Sequence, residues 1–410
     1  MTRPRTTARE TLGILFFGED WGRHNSTGQY LARELARRHP VLWVDSLGLR
    51  TPRLNLTDLA RIAGKLARFS RRNTRPMAAG SALDVVTPLA IPFYRSRLVR
   101  HVNRLLLARQ LAQARRRAGL VRWVVITACP ATADIVGRLG AEAVAYYCAD
   151  EYAEQPGLDA ALVRRLEHQL LEHVDVVVAS ALRLAERKAQ LHGNVCYLPH
   201  GVHYGHFRRA VDGALPCPDD LATVPRPRLG YVGLLGEHVD FAALTRLARE
   251  LPEAQLVLIG PVEDACASRL PQGANVHYLG PRPHESLPAY LAHFDVCLLP
   301  WLNNARNRNA NPTKLREYLA AGCPVVTTPV EEAAPLAHLI RTAADAAAFV
   351  AETRAALAEG DPARRRARSD AMGDADWSQR AAELWGFIEA ARRRRVAAPR
   401  TATAVLRQGG

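Results

Sequence analysis

The stretch "NANPTKLREYLAAGCPVV", residues 309–326, has the pattern of a short helix that leads directly into a buried strand. Asn311 is a favourable N-cap residue, and Pro312 suits the first helical position because its missing N–H would have no partner there. Gly322 suits the end of the helix, and the apolar residues that follow it predict a strand. We therefore expect a helix that starts at residue 312 and packs on a parallel sheet.

The first turns of this predicted helix carry Thr313, Lys314 and Glu317 on or near one side. Free backbone N–H groups at a helix start attract phosphate, and Lys314 adds a full positive charge there. Glu317 lies one turn further on, where a carboxylate can accept two hydrogen bonds from a ribose diol. The pattern therefore indicates a nucleoside-diphosphate site at the carboxyl edge of a parallel sheet. A structural Lys314–Glu317 salt bridge on a packed helix is the open alternative.

The rest of the chain alternates short apolar, β-branched runs with longer helical patterns, which is typical of parallel α/β units. Strands are predicted in the first half at 12–17, 41–45, 83–89, 123–127, 143–149, 175–180 and 195–199. After a Pro-rich segment at 215–228, strands are predicted at 228–233, 255–260, 275–279, 295–300 and 324–328. We therefore predict an α/β fold of two Rossmann-like, doubly wound parallel-sheet domains with a cleft between them.

The same alternation places the two domains at residues 1–200 and 201–376. The stretch "DWSQRAAELWGFIEAARRRR" predicts a C-terminal helix at 377–396 that packs back across the domains. The tail at 397–410 is expected to be disordered.

The composition is that of a globular protein with a full core, since 48% of the 410 residues are apolar and 23% are charged. No apolar run reaches 18 residues, and the first one, "LGILFF", is too short for the core of a signal peptide. The 7 cysteines form no CxxC pair, so we expect reduced packing residues and no metal site. These features predict a cytoplasmic protein.

Positive charge is concentrated in one zone, residues 50–122, where 17 Lys and Arg face two acids and account for the whole net charge of +15. Such a zone faces an anionic partner. Two amphipathic helices are predicted within it, at 58–72 and 95–117, the second with an apolar stripe of Leu98, Val102, Leu105 and Leu106. They are interpreted either as sheet-packing helices with solvated outer faces or as a surface that rests on an anionic membrane. Nucleic acid is disfavoured, because no aromatic interleaving or binding motif accompanies the arginines.

The helix motif resembles the donor-nucleotide motif of bacterial glycosyltransferases with the GT-B fold (glycosyl transferases group 1, family 4-like), which commonly runs K-L-x-E-Y-L-A-A-G-x-P-V-V. Four further segments resemble the same family at matching distances. They are "LPHGVHYGHF", "GYVGLLG", "VLIGP" and "YLGPRPHESLPAYLAHFDVCLLP". The resemblance is specific over most of residues 195–330 and loose over the first half. It implies a hexosyltransferase whose first domain binds the acceptor and whose second domain binds the nucleotide sugar.

The resemblance also implies roles for residues of the second domain. Glu317 would bind the ribose and Lys314 the diphosphate, while the backbone from Gly233 to Gly236 would contact the phosphates or sugar. The base would rest near Gly260 and Pro261. The full set expected at the donor is Asn309, Asn311, Thr313, Lys314, Glu317, Gly233, Gly236, Gly260 and Pro261.

Two departures from the family pattern bear on stereochemistry. Retaining members usually carry a Glu eight residues before the ribose Glu, where this chain has Asn309. They also carry Arg and Lys after the Gly loop, where this chain reads "LLGEHVD". The pattern is closer to the xanthan-type glucuronosyltransferase branch, which inverts.

That branch implies a catalytic base in the first domain. The stretch "AYYCADEYAE", 145–154, places Asp150 and Glu151 at the carboxyl end of a predicted strand. A carboxylate at this edge can take the proton of the acceptor hydroxyl as it attacks the sugar. Asp150 is the first candidate and Glu151 the second. A capping or salt-bridging role for Asp150 is the alternative.

The loop "GEDWGRHNSTGQY", 18–30, follows the first predicted strand and reaches the same edge. Ser26 or Thr27 is expected to cap the next helix. The polar and aromatic residues before them are candidates for acceptor binding, Trp21 by stacking on a sugar face. These acceptor-side candidates are Asp20, Trp21, Arg23 and His24.

The sequence therefore predicts a glycosyltransferase of cell-surface or exopolysaccharide biosynthesis, peripheral on the inner face of the membrane through residues 50–122. Its substrates would be a UDP- or GDP-linked sugar and a saccharide or lipid-linked acceptor, with no cofactor and no metal. Two alternatives stay open: a sugar-nucleotide epimerase on the same fold, and a non-catalytic anion- or membrane-binding protein. The donor sugar, its base, the acceptor and the stereochemistry are not fixed by these motifs.

Overall fold

The computed structural model describes residues 11–23, 26–48, 74–76, 82–91, 93–155, 157–308 and 310–397. These residues form one mostly parallel and one fully parallel sheet, one after the other along the chain, with helices on their faces. The first sheet contains β1 Gly13–Phe17, β2 Val41–Val44, β3 Thr74–Pro76, β4 Leu83–Val86, β5 Trp123–Thr127, β6 Val144–Cys148, β7 Val176–Ala179 and β8 Val195–Tyr197. The second contains β9 Arg228–Val232, β10 Gln255–Ile259, β11 Val276–Gly280, β12 Val296–Leu299, β13 Val325–Thr327 and β14 Arg341–Thr342.

The strand order of the first sheet is β3-β4-β2-β1-β5-β6-β7-β8, and every pair is parallel except β3 with β4. The central strands, such as β2 "VLWV" and β7 "VVVA", are continuous apolar runs because helices cover both faces of a parallel sheet. β1 is "GILFF" and fully buried. It lies next to β5, where the strand order reverses, so the loops after β1 and β5 open at the carboxyl edge that commonly holds ligands.

The second sheet has the order β11-β10-β9-β12-β13-β14 and is parallel throughout. β9 lies next to β12 at the point where this order reverses. The predicted α/β fold of two Rossmann-like domains is confirmed. The antiparallel strand β3 and the two-residue strand β14 were not predicted, because neither has an apolar run of its own.

The helices of the first sheet are α1 Thr27–Leu35, α2 Arg97–Arg117, α3 Ala160–Leu171 and α4 Leu182–Ala189. Those that follow are α5 Tyr204–Asp212, α6 Asp219–Ala222, α7 Phe241–Glu250, α8 Leu287–Ala292, α9 Ala305–Arg308, α10 Thr313–Ala320, α11 Ala346–Leu357, α12 Pro362–Asp370 and α13 Trp377–Ala397. Ser26 caps α1 by accepting a hydrogen bond from the Gln29 N–H, as expected from the sequence.

The final helix, α13, returns to the first sheet. Its buried residues Trp377, Leu384 and Ile388 share one apolar core with residues of α1 and of β1. The Trp377 ring stacks on Tyr30, with the ring centroids 5.2 Å apart. Trp377 thereby joins the chain segment after the second sheet to the helix that follows β1. The predicted tail lies largely beyond the described residues, which end at residue 397.

Helix α2 is present, but the face predicted for it is wrong. Its buried residues are Asn103, Leu107, Leu111 and Ala114, whereas Leu98 is 72% and Leu105 52% exposed. The Asn103 side-chain amide forms hydrogen bonds with both the N–H and the C=O of Ile91, so the buried face of α2 includes a polar residue. Counting apolar residues therefore selects the wrong face. The other helix predicted in this zone, 58–72, lies outside the described residues.

None of the helices described is long and apolar enough to cross a membrane. All 7 cysteines lie outside disulfide bonds.

Candidate active site

Residues 309–326 form the short helix and strand that their pattern predicts, here α10 and β13. The inward side of α10 is apolar, with Leu315 and Leu319 fully buried. The Tyr318 hydroxyl accepts from the Val232 N–H and donates to the Val232 C=O, which fixes the helix to the end of β9. Glu317 keeps 8% of its surface exposed. The opposite side of α10 can therefore face a ligand while the helix itself is held rigidly.

A cleft of about 440 Å³ lies between the two sheets at their carboxyl edges. From the first half of the chain it is lined by Ser26, Thr27, Tyr30, Ala149, Asp150 and His200, and from the second by Arg282, His284, Leu287, Thr313, Lys314 and Glu317. The cleft therefore brings Asp150 together with the three polar residues predicted on α10. These residues are up to 167 positions apart in the chain, from Asp150 to Glu317, and only the fold brings them together.

Lys314 and Glu317 already contact each other. The Lys314 Nζ atom donates to Glu317 Oε2 at 2.6 Å. The Lys314–Glu317 salt bridge, which the sequence left open as the structural alternative, is thus present at the wall of the cleft. A charged pair that is partly exposed on one side can rearrange around an anion, so the contact is compatible with both interpretations.

Asn311 does not have the role expected from the sequence. The N-cap of α10 is Pro312, which has no capping side chain, and the helix begins at Thr313. The Asn311 Nδ2 atom donates instead to the C=O of Ser180, which follows β7, at 2.8 Å and to Glu332 Oε2 at 3.0 Å. Asn311 is only 6% exposed and its oxygen accepts from Arg316. It joins the two halves of the protein and does not face the cleft.

Glu332 completes this buried junction. Its carboxylate accepts from the Leu182 N–H at the start of α4 and from the Tyr197 hydroxyl. Glu332 is 2% exposed, yet each of its oxygens accepts from a group in the other half of the chain. The junction fixes how the two halves meet behind the cleft.

The glycines expected near the phosphates and base lie side by side at the ends of β9 and β10. Gly260 has φ of +143°, and a Cβ atom there would lie 1.8 Å from the Gly233 oxygen, so only glycine fits. The Leu235 N–H donates to the Pro261 C=O, which links the two loops. At Gly236 a Cβ would meet the Glu263 carboxylate, whose Oε2 accepts from the Glu237 N–H. This carboxylate would repel a phosphate close to Gly236. Of the two contacts expected for the backbone from Gly233 to Gly236, the sugar therefore fits better than the phosphates.

Asp150 and Glu151 lie in different environments although they are adjacent. Asp150 is exposed in the cleft, directly after β6. Glu151 is 7% exposed and turns away from the cleft, where it pairs with Lys188 at 3.2 Å. Lys188 also pairs with Glu167, which makes Glu151 part of a buried ionic cluster. The structure therefore argues against Glu151 as the second candidate for the base, because a carboxylate that pairs with a buried lysine cannot reach an acceptor.

The described acceptor-side candidates do not line the cleft. Trp21 is 6% exposed and packs edge-on against Trp43, and its backbone N–H donates to Asp45, so its ring has no free face for a sugar. Asp20 accepts from the Ser46 hydroxyl, and Arg23 is exposed outside the cleft lining. His24 lies outside the described residues, as does Asn309 on the donor side. Ser26, Thr27 and Tyr30, at the start of α1, line the cleft instead.

Glu19 is a residue that sequence reasoning missed. It follows β1, and burial raises its pKa to about 7, with the charge of nearby Asp150 acting in the same direction. The fold thus places a second carboxyl group close to Asp150 by bringing the ends of β1 and β6 to one edge. The only signal in the sequence was an acidic residue directly after an apolar strand, a pattern shared with Asp150.

A group of histidines was also missed. His284 lines the cleft, His206 stacks on it with ring centroids 5.1 Å apart, and His203 lies edge-on at 5.7 Å. Burial lowers the pKa of His203 to about 4 and that of His200 to about 3, so both rings are neutral at pH 7. Among the described residues, no group of three His, Cys, Asp or Glu side chains has the arrangement of a metal site.

Comparison with known proteins finds a family match in the second half of the chain. Residues 226–359 match the family model described as "Glycosyl transferases group 1". A curated relative, the putative teichuronic acid biosynthesis glycosyltransferase TuaH of Bacillus subtilis (strain 168), is 31% identical over 103 residues. That match covers 24% of this chain and about a quarter, 26%, of the relative's length.

Solved structures match nearly the whole chain. Sucrose-phosphate synthase from Thermosynechococcus elongatus has a TM-score of 0.65 at 16% identity, covering 94% of this chain and 100% of that one. Anabaena Alr3699/HepE in complex with UDP and glucose has a TM-score of 0.63 at 13% identity, covering 92% and 99%. At these identities the likeness establishes the fold. The resemblance indicated by the motifs is confirmed, whereas the xanthan-type branch stays a prediction: the chain has the two-domain GT-B fold of glycosyltransferases, and its residues 226–359 match the family model of the group 1 glycosyl transferases.

Proposed function

We propose that the protein transfers a sugar from a nucleoside-diphosphate donor, held by the second domain, to a saccharide or lipid-linked acceptor held by the first. One observation carries this proposal. A single cleft holds the exposed carboxylate of Asp150 from one domain together with the Lys314 and Glu317 side chains of α10 from the other. An enzyme that joins two substrates needs chemistry from both walls, and this cleft supplies it.

The donor would lie along α10. The Lys314 ammonium and the first amides of the helix would neutralise the diphosphate, and Glu317 would accept hydrogen bonds from the ribose diol. Charge that develops on the departing diphosphate is then stabilised by groups already in place, so the proposal needs no metal ion. Ribose is common to UDP and GDP, and both remain candidate donors.

In this transfer, Asp150 would act as the general base. The acceptor hydroxyl oxygen bonds to C1 of the sugar while the bond from C1 to the diphosphate oxygen breaks. The electron pair of the broken bond leaves with the diphosphate, and the hydroxyl proton passes to the Asp150 carboxylate. This displacement inverts C1, in keeping with the xanthan-type pattern at Asn309.

The biological setting is proposed to be cell-surface or exopolysaccharide synthesis at the cytoplasmic side of the membrane. Two observations support it. The curated relative is described as a glycosyltransferase of teichuronic acid biosynthesis, and this chain exposes apolar side chains within its basic zone. Phe93, Leu98 and Leu105 are 51%, 72% and 52% exposed, and Arg97 and Arg109 are exposed on the same segment. Apolar side chains ringed by arginine fit an anionic lipid surface.

The membrane proposal predicts that the protein binds vesicles rich in phosphatidylglycerol and not vesicles of phosphatidylcholine alone. Leu98→Ser with Leu105→Ser should weaken this binding by about tenfold or more, because each leucine contributes roughly 1.5–3 kcal/mol when fully buried in an apolar phase. Cosedimentation measures both effects. Leu191→Ser is the control, since Leu191 is 46% exposed but lies beyond α4. Equal binding by the double variant and the wild type would remove α2 from the membrane surface.

The experiment that tests the transferase proposal is a screen of UDP- and GDP-linked sugars by thermal shift, followed by donor hydrolysis with and without saccharide acceptors. A transferase is stabilised by its donor and releases nucleoside diphosphate faster when acceptor is present. A sugar-nucleotide epimerase would convert its donor with no acceptor added. The absence of any stabilised nucleotide sugar would leave the anion- or membrane-binding alternative.

A further inference from the structure

His284 is held in one orientation at the wall of the cleft. It begins the short 3₁₀ turn His284–Ser286 before α8. The His206 ring stacks on it at an interplanar angle of 15°, and Phe207 packs edge-on with the centroids 5.4 Å apart. The His206 ring nitrogen Nε2 also lies 3.1 Å from the His284 C=O. Contacts on several sides therefore fix where the ring of His284 points.

The ring points its Nε2 atom towards Glu317. This atom is buried and has no hydrogen-bond partner among the residues that the structure describes. It lies 4.0 Å from Glu317 Oε1, which is too far for a direct hydrogen bond. The other carboxylate oxygen, Oε2, is the one that pairs with Lys314. A buried polar atom without a partner is costly, so a group outside the protein is expected to complete this site.

We infer that His284 is a second ribose anchor, and that one hydroxyl of the donor ribose bridges its Nε2 atom and the Glu317 Oε1 atom. The inference rests on the proposed function and adds to it a residue and a selectivity. An oxygen placed about 2.8 Å from both atoms makes two hydrogen bonds about 90° apart across the observed gap, which a hydroxyl accommodates. It accepts from His284 and donates to Glu317.

The protonation of the ring agrees with this arrangement. Burial lowers the pKa of His284 below its usual value, so the ring is neutral at pH 7 and can carry its single proton on Nε2. The other ribose hydroxyl is left for Glu317 Oε2 and Lys314. Removal of the bridging hydroxyl would leave two buried polar groups unpaired, and sites of this kind reject such analogues strongly. His284 thereby makes the site selective for ribose over one deoxyribose.

The test is isothermal titration of the full protein with UDP and GDP and with the 2′-deoxy and 3′-deoxy forms of each. His284→Phe keeps an aromatic ring in the stack on His206 but removes both ring nitrogens. We expect wild type to bind one parent diphosphate at least tenfold more tightly than one of its deoxy forms. His284→Phe should bind the parent about tenfold more weakly and bind that deoxy form as wild type does, so that the discrimination falls by about the same factor and only the Glu317 contribution remains.

The control is His338→Phe, because His338 is exposed in the same domain outside the cleft lining. An unchanged affinity in His284→Phe overturns the inference, as does an equal loss for the parent and both deoxy forms. If the diphosphates still bind and binding still depends on Glu317, only the ribose anchor fails. If neither diphosphate binds wild type, the proposed function fails with it.

Discussion

Asp150→Asn should bind nucleotide sugar as tightly as wild type but transfer the sugar about 10²- to 10⁴-fold more slowly, the range typical of a lost general base. The amide matches the carboxylate in size and keeps its hydrogen-bonding oxygen, so the cleft retains its shape. It cannot take a proton. The loss should therefore appear in kcat, with the donor dissociation constant unchanged.

The surroundings of Asp150 support its proposed role as the base. The preceding residue is anchored, because the Ser180 hydroxyl donates to the Ala149 C=O at 2.7 Å. Asp150 itself is exposed in the cleft, where an acceptor hydroxyl can approach it. A rigid backbone with an accessible carboxylate meets the geometric requirement for proton transfer.

Glu151→Gln is the matched control for this measurement. It is the same isosteric change at the neighbouring residue, which faces the buried Lys188 and not the cleft. We expect turnover close to wild type, since Glu167 remains to pair with Lys188. The assay is initial-rate transfer with the donor identified by screening, together with donor titration of each variant. Normal turnover in Asp150→Asn would exclude it as the base, and Glu19→Gln would then test the other carboxyl group at this edge.

The sequence predicted the parts of this site whose determinants are local. α10 and β13 are encoded by a proline, a glycine and an apolar run within 18 residues, so their pattern sufficed. The strand ends that carry Asp150 and Glu19 follow from the same logic, because an acidic residue after a buried parallel strand lies at the carboxyl edge. Of the two, only Asp150 was chosen, since nothing local distinguishes an exposed carboxylate from one whose pKa is raised by burial.

The errors arose where a residue's partner is distant in the chain. Asn311 is a good N-cap by local rules, yet its partner is the carbonyl of Ser180, 131 residues away. Trp21 is a plausible sugar platform in a loop, but Trp43 and Asp45 bury it. Contacts of this kind depend on how the sheets and domains assemble, which periodicity and capping rules do not contain.

Glu317→Ala should weaken donor binding by about 1.5–3 kcal/mol, the range for hydrogen bonds to a charged group. The ribose diol loses its acceptor, and no other carboxylate lines the second-domain side of the cleft among the described residues. Calorimetric titration of UDP and GDP measures the effect. Glu352→Ala is the control, because Glu352 also forms a salt bridge within this domain, to Arg341, but is 37% exposed and outside the cleft lining.

The loss of affinity in Glu317→Ala also depends on Lys314, the salt-bridge partner of Glu317. Without Glu317 the Lys314 ammonium loses its 2.6 Å partner and becomes free to bind the diphosphate, which offsets part of the lost ribose contact. A free nucleoside has no diphosphate, so uridine or guanosine should show the larger relative loss. In a Lys314→Met background the offset should vanish and Glu317→Ala should cost the nucleoside and its diphosphate equally. If Glu317→Ala lowers the melting temperature but leaves every affinity unchanged, the Lys314–Glu317 pair is structural and the donor binds elsewhere.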